Sequence, residues 1–207
     1  MYSQNNEEQI IFDYVGRGIP CQGHFKFLDI GSNDGITLSN TRALAERGWR
    51  GVCVEASPTA FQRLKKNYRG WSGVTCYNIA LADYTGTMIL HESGELLNIG
   101  DVALVSSSKL SEIERFRKTV KYNEVIVKCM TWEDFFKKST LKQFEVISMD
   151  IEGCELDVLP RMDLSSMNVR LICIEWNGND YLKHEYEKHL SGFKLIHTNA
   201  ENLIYAR

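Results

Sequence analysis

The chain has 207 residues, 43% of them hydrophobic and 25% charged, with a net charge of -3 and a pI near 6.0. That suits one globular domain, residues 1–207, with a core of its own, and excludes a dedicated nucleic-acid binder, which carries a basic surplus. No apolar run approaches the roughly 20 residues that span a bilayer, and the polar start MYSQNNEEQI is no secretory signal, so a cytoplasmic chain is expected.

A helix is expected within residues 1–18. KFLDI (26–30) is a strand and TLSNTRALAERG (37–48) a helix stopped by Gly48. GVCVEA (51–56) is the next strand. SPTAFQRLKKNY (57–68) starts a helix with Ser57 as N-cap and Pro58 at its first position. VTCYNIA (74–80) is a third strand. Residues from about 86 to 128 break the alternation: two strand-like runs, TMILHES and EVIVKCM, enclose the helical SKLSEIERFRKTVK, and this segment is read as an insertion. EVISMDI (145–151) and VRLICIEW (169–176) are strands without strict alternation, as expected when both faces are covered. CELDVLPRM between them is a short helix ended or bent by its proline. DYLKHEYEKHLSG (180–192) is an amphipathic helix, and FKLIHTN and NLIYAR form an antiparallel hairpin. The fold class is therefore α/β: a Rossmann-like, doubly wound, mostly parallel sheet with a C-terminal antiparallel hairpin.

The six cysteines, Cys21, Cys53, Cys76, Cys129, Cys154 and Cys173, show no CxxC spacing. They are read as reduced thiols, small hydrophobes in a reducing compartment.

The stretch FLDIGSNDGITLSNT (27–41) carries the first chemistry. Its glycine turn follows a strand, where open α/β sheets bind ligands. No Gly-Lys-Ser/Thr follows, so it is not a P-loop, and Asn33 stands where a dinucleotide fingerprint needs glycine. Asp29 repels a pyrophosphate but attracts an ammonium or sulfonium group. Glu55, 26 positions on at the end of the next strand, is placed to accept from ribose hydroxyls; a solvated strand-end carboxylate is the alternative. Together they point to S-adenosylmethionine.

The chain resembles a class I S-adenosylmethionine-dependent methyltransferase, and within that class the FkbM family. The resemblance runs over residues 4–207. It rests on DIGSNDGITLSNT (29–41), EASP (55–58), the pattern from Asn78 to Gly86, SSS (106–108), TWEDF (131–135), DIEGCE (150–155) and the strand ending in Glu175. The resemblance implies a seven-stranded sheet of order 3-2-1-4-5-7-6. It also implies that Asp29, Gly31, Asn33 and Gly35 hold the methionine part of the cofactor and that Glu55 holds the ribose. Ala56, Ala80 and Leu81 would line the adenine, whose edge is read by backbone or by Asp83.

Asp150, Glu152 and Glu175 gather several carboxylates where the methyl points. One of them as general base is the first reading. A divalent cation, Mg²⁺ or Mn²⁺, held by Asp150, Glu175 and Asn177 is the second. The base is preferred, because glutamate stands where metal-dependent small-molecule enzymes place aspartate. Glu152 and Glu155 also suit the N-terminus of the following helix. Trp176 is either core or an apolar wall for a sugar ring. Lys109, Arg115, Arg117, Lys118 and Lys121 form either a solvated face or a contact to phosphate. The resemblance implies O-methylation, often of sugars or polyketide hydroxyls, and the expected function is O-methylation of a carbohydrate-type hydroxyl on a sugar, glycan or glycolipid. The alternatives are another small metabolite, a protein side chain, or a non-catalytic cofactor-binding module.

Overall fold

The computed structural model describes residues 1–15 and 25–207. In chain order the elements are α1 (Glu7–Val15), β1 (Lys26–Ile30), α2 (Arg42–Glu46), β2 (Arg50–Glu55), α3 (Pro58–Asn67), β3 (Val74–Asn78), β4 (Ala80–Leu81) and β5 (Gly86–Ser93). There follow α4 (Leu110–Phe116), β6 (Tyr122–Met130), α5 (Trp132–Lys138), β7 (Val146–Met149), α6 (Glu155–Val158), β8 (Leu171–Glu175), α7 (Asp180–His189), β9 (Lys194–Thr198) and β10 (Asn202–Ala206). The last part of the helix expected over residues 1–18, and Cys21, lie outside the described residues.

The main sheet has seven strands in the order β3-β2-β1-β7-β8-β10-β9. With the smaller sheet's strands left out of the numbering, this is the order 3-2-1-4-5-7-6. Every neighbouring pair is parallel except the two made by β10, which runs against β8 and β9. Helices cover both faces. Phe27, Cys53, Val146, Cys173 and Ile204 pack against Ile11 of α1, Leu44 of α2 and Leu64 of α3. Leu28, Val52, Ile147, Ile172 and Leu203 pack on the other face with Phe135 of α5, Val158 of α6 and Tyr186 of α7. Removal of these two apolar faces from water is the main force that holds the sheet between its helices. It also explains why VISM in β7 and LICIE in β8 are buried at every position.

The insertion forms a second sheet, β4-β6-β5. β5 and β6 are an antiparallel pair with α4 between them in sequence, and Ala80 and Leu81 join β6 in parallel. Two expectations are corrected and one is extended. The strand expected over 74–80 is two strands: Ile79 N–H bonds to Glu55 O, and the chain then leaves the main sheet. The helix expected over 37–48 shrinks to α2, because residues 37–40 form a turn over the strand ends. TWEDF, expected only as a motif, opens α5, with Thr131 Oγ1 accepting from Asp134 N–H.

Candidate functional site

The strand ends of the main sheet open into a cavity of about 330 Å³. Asp29, Gly31, Asn33, Glu55, Ala56, Ala80, Leu81, Asp150, Glu152 and Glu175 all line it. Gly35 does not: its φ is +73°, and a Cβ there would meet Leu64 and Tyr68, so this glycine serves the packing of the turn on α3. Asp83 is exposed and Trp176 packs against the core, its Nε1–H donating to Asn199 O at 2.9 Å; neither faces the cavity.

The glycine turn is built from β1 outwards. Gly31 has φ +87°, and a Cβ on it would fall 1.6 Å from the carbonyl oxygen of Asp150, so only glycine lets β1 and β7 close at this point. Gly31 and Ser32 N–H both bond to Val54 O at 2.9 and 3.0 Å. Asn33 adopts φ +46°, and its Nδ2 donates to Val102 O at 2.8 Å, tying the turn to the insertion. Asp34 accepts from the N–H groups of Ile36 and Thr37 at 2.8 and 2.7 Å, which keeps the next residues out of a helix.

Asp29 is buried, and Thr41 Oγ1 donates to its Oδ2 at 2.5 Å. Burial pushes the Asp29 carboxyl up to about 7, the Thr41 bond opposes this, and Asp150 nearby adds to it. Glu55 is also buried, which overturns the solvated alternative. Its two oxygens accept from Asn33 N–H at 2.8 Å and Ser57 N–H at 2.7 Å. Each oxygen keeps a further lone pair for a hydroxyl. Burial pushes this carboxyl up to about 7 as well.

At the other end of the cavity, oxygens of Asp150, Glu152 and Glu175 lie within 4.8 Å of one another. Glu152 (φ +51°) and Gly153 (φ +95°) turn the chain after β7, and Asn177 (φ +51°) and Gly178 (φ +70°) do the same after β8. Burial and then the Asp150 charge push Glu152 and Glu175 well above the usual carboxylate range. Burial raises Asp150 to about 6, opposed by a hydrogen bond with Glu175. Asn177 Nδ2 donates to Glu175 Oε1 at 2.7 Å, so it steadies this carboxylate. Glu155 lies outside the cavity wall; its Oε1 accepts from Ile151 N–H at 2.9 Å and closes the turn before α6. Of the basic cluster, Arg115 lines the cavity and also bonds Glu112, while Lys109 pairs with Asp157 and Arg117 with Glu114.

Three wall residues have no signal in the sequence. Gln4, Glu201 and Asn202 come from the first turn of the chain and the hairpin, while Asn40, in the turn before α2, lies in the motif of residues 29–41 without a role read from it. Glu7, fully buried, gathers this region by accepting from Asn5 N–H, Asn199 Nδ2 and Asn202 Nδ2 at 2.8, 2.7 and 3.0 Å. Nothing in their spacing marks them, since they meet only in three dimensions.

This sheet order, with an acidic β1 end, a glycine turn and an acidic β2 end around one cavity, defines the class I methyltransferase fold. The chain belongs to the FkbM methyltransferase domain family, whose pattern matches residues 29–195. It is 24% identical over 158 residues to the 2-O-methyltransferase NoeI of Sinorhizobium fredii, covering 74% of this chain and 63% of that protein. In structure it is similar to the FkbM methyltransferase of Methylobacillus flagellatus KT (TM-score 0.61, 14% identity), with all of this chain on 48% of that one. It is also similar to the METTL16 methyltransferase domain (TM-score 0.56, 13% identity), with 97% of this chain on 66% of that one. The chain thus spans about half to two thirds of these relatives.

Proposed function

We propose that the chain is an S-adenosylmethionine-dependent O-methyltransferase acting on a hydroxyl of a carbohydrate-type acceptor, as one domain over residues 1–207. The observation that carries this is a single cavity lined by two groups of carboxylates: Asp29 and Glu55 on β1 and β2, and Asp150, Glu152 and Glu175 on the turn after β7 and the end of β8. Asp29, held by Thr41, suits the amino group of the cofactor. Glu55 suits the ribose diol, and Ala56, Ala80 and Leu81 give the adenine an apolar slot. When bound, the cofactor supplies an electrophilic methyl and a neutral thioether leaving group.

The carboxylate end then has one task. The acceptor O–H bond breaks as the new C–O bond forms, and a carboxylate of the cluster takes the proton. Most of the remaining rate comes from holding the oxygen in line with the methyl. The amides of Gln4, Asn40, Asn177 and Asn202 on the same cavity wall suit a polyhydroxylated acceptor, since an amide carries an acceptor oxygen beside its N–H groups. The name of the relative NoeI, a 2-O-methyltransferase, supports a hydroxyl as the target.

The test is transfer of labelled methyl from S-adenosylmethionine to a panel of mono- and oligosaccharides, with simple phenols and peptides for comparison. Label in a sugar ether is the expected result. Label confined to phenols or peptides moves the acceptor class, and cofactor binding without transfer to any acceptor returns the chain to a binding module.

A further inference from the structure

We infer that Asp150, Glu152 and Glu175 form a binding site for one hard divalent cation at the acceptor end of the cavity. This deepens the proposed function and rests on it for its role. Two independent observations carry it. The first is geometric. One oxygen from each of the three residues lies within 4.8 Å of the other two. Oxygen ligands sit roughly 2.0–2.6 Å from Mg²⁺, Mn²⁺ or Ca²⁺, so opposite ligands of one ion are about 4–5 Å apart. The three carboxylates therefore fit around one ion, and they come from two adjacent strands: Asp150 and Glu152 from the turn after β7, and Glu175 from the end of β8.

The second observation is a polar atom with nothing to bond. Glu152 is 8% exposed, and its Oε2 is buried without a hydrogen-bond partner. A carboxylate oxygen in that state costs several kcal/mol unless something meets it. The backbone around Glu152 is committed to its odd position: the residue takes a left-handed φ of +51°, and Ser107 Oγ donates to its carbonyl oxygen at 2.7 Å. The fold thus places an unsatisfied carboxylate oxygen in a group of like charges. Arg115 on the cavity wall is shared with Glu112 at 3.3 Å. All-oxygen donors select Mg²⁺, Mn²⁺ or Ca²⁺ over the softer metals.

This differs from the sequence expectation in two ways. The third ligand is Glu152 rather than Asn177, whose amide bonds Glu175. The cation would also take over from the metal-free base as the preferred activator: Asp150, Glu152 and Glu175 would hold it, it would lower the pKa of the acceptor hydroxyl, and the second oxygen of Asp150 would take the proton.

Manganese is the probe. Chelator-treated full chain is titrated with Mn²⁺ and followed by electron paramagnetic resonance and calorimetry, with and without S-adenosylhomocysteine. One saturable site, displaced by excess Mg²⁺ or Ca²⁺, is expected. Glu152→Gln and Glu175→Gln should each weaken it at least tenfold, whereas Glu55→Gln, two strands away from β7 on β2, should leave it unchanged. Melting curves confirm that each variant is folded, and S-adenosylhomocysteine binding does so for Glu152→Gln and Glu175→Gln. No saturable Mn²⁺ site, or a site undiminished in both Glu152→Gln and Glu175→Gln, overturns the inference. Intact S-adenosylhomocysteine binding with no Mn²⁺ site removes the cation alone; an Mn²⁺ site without S-adenosylhomocysteine binding removes the cofactor reading alone.

Discussion

Under the proposed function, Glu55 joins stability to binding in one side chain. Its oxygens satisfy two backbone N–H groups and remain open towards the cavity. Glu55→Ala should therefore weaken S-adenosylhomocysteine by about 1.5–3 kcal/mol, roughly 10- to 150-fold. It should also lower the melting temperature, because Asn33 and Ser57 N–H lose their acceptor. Calorimetry and a melt separate the two effects; full affinity in the variant shows the ribose is held elsewhere. The pH dependence follows from Asp29 and Glu55 together. Their ordinary values are 3.8 and 4.5, and each is raised to about 7. The folded chain thus holds these protons more tightly than the unfolded one. Their contribution to stability is complete below about pH 4 and is lost as pH rises through 7, so the cofactor-free chain should melt higher at pH 5.5 than at pH 8. A cofactor ammonium and ribose hydroxyls favour the ionised carboxylates, so affinity should rise over the same interval with proton release. Melts and calorimetry in two buffers check both signs, and a flat profile contradicts them. Asp29 and Glu55 are legible in the sequence because each ends an apolar run. Glu152 is legible only as a nearby acid, since its unpartnered oxygen depends on what surrounds it.

Helix α3 is legible because its start is local chemistry. Ser57 Oγ accepts from Ala60 N–H at 3.0 Å, and the hydroxyl also donates to Glu92 on β5. Ser57→Ala should cost about 1 kcal/mol or somewhat more, which for a chain of this size is a fall of about 2–4 °C in a thermal melt. No fall would show that another group caps the helix. The segment before α2 misleads for the opposite reason. TLSNTRALAERG has a helical pattern, but Leu38 takes φ +55° in a bridge to Ser3 and Asn40 Nδ2 donates to Ser148 Oγ at 3.2 Å. Those partners lie 35 and 108 positions away, out of reach of any local periodicity. The same holds for β4, a strand only because β6 lies beside it.

For the chain taken together, ligand binding and folding are linked. A ligand of the native state at 100 times its dissociation constant adds about 2.7 kcal/mol, roughly 5–10 °C for a domain of this size. S-Adenosylhomocysteine should produce that shift and NAD should not; an equal shift with NAD contradicts the cofactor assignment. The alternation of apolar runs with amphipathic stretches is enough to establish a parallel sheet covered on both faces, because the burial of each strand and helix is written into its own residues. The acidic strand ends and the glycine turn are enough to suggest the proposed cationic ligand, because charge and backbone freedom are properties of single positions. The sequence cannot say which polar groups share a wall. Gln4 and Asn202 share one because Glu7 ties the chain's start to its end across 195 positions, and Asn40 joins it through its bond to Ser148 on β7. Nor can it say which acids converge. Glu152 joins Asp150 and Glu175 because two left-handed residues reverse the chain after β7, and that reversal is possible only where Gly31 lets the backbone of Asp150 lie against it.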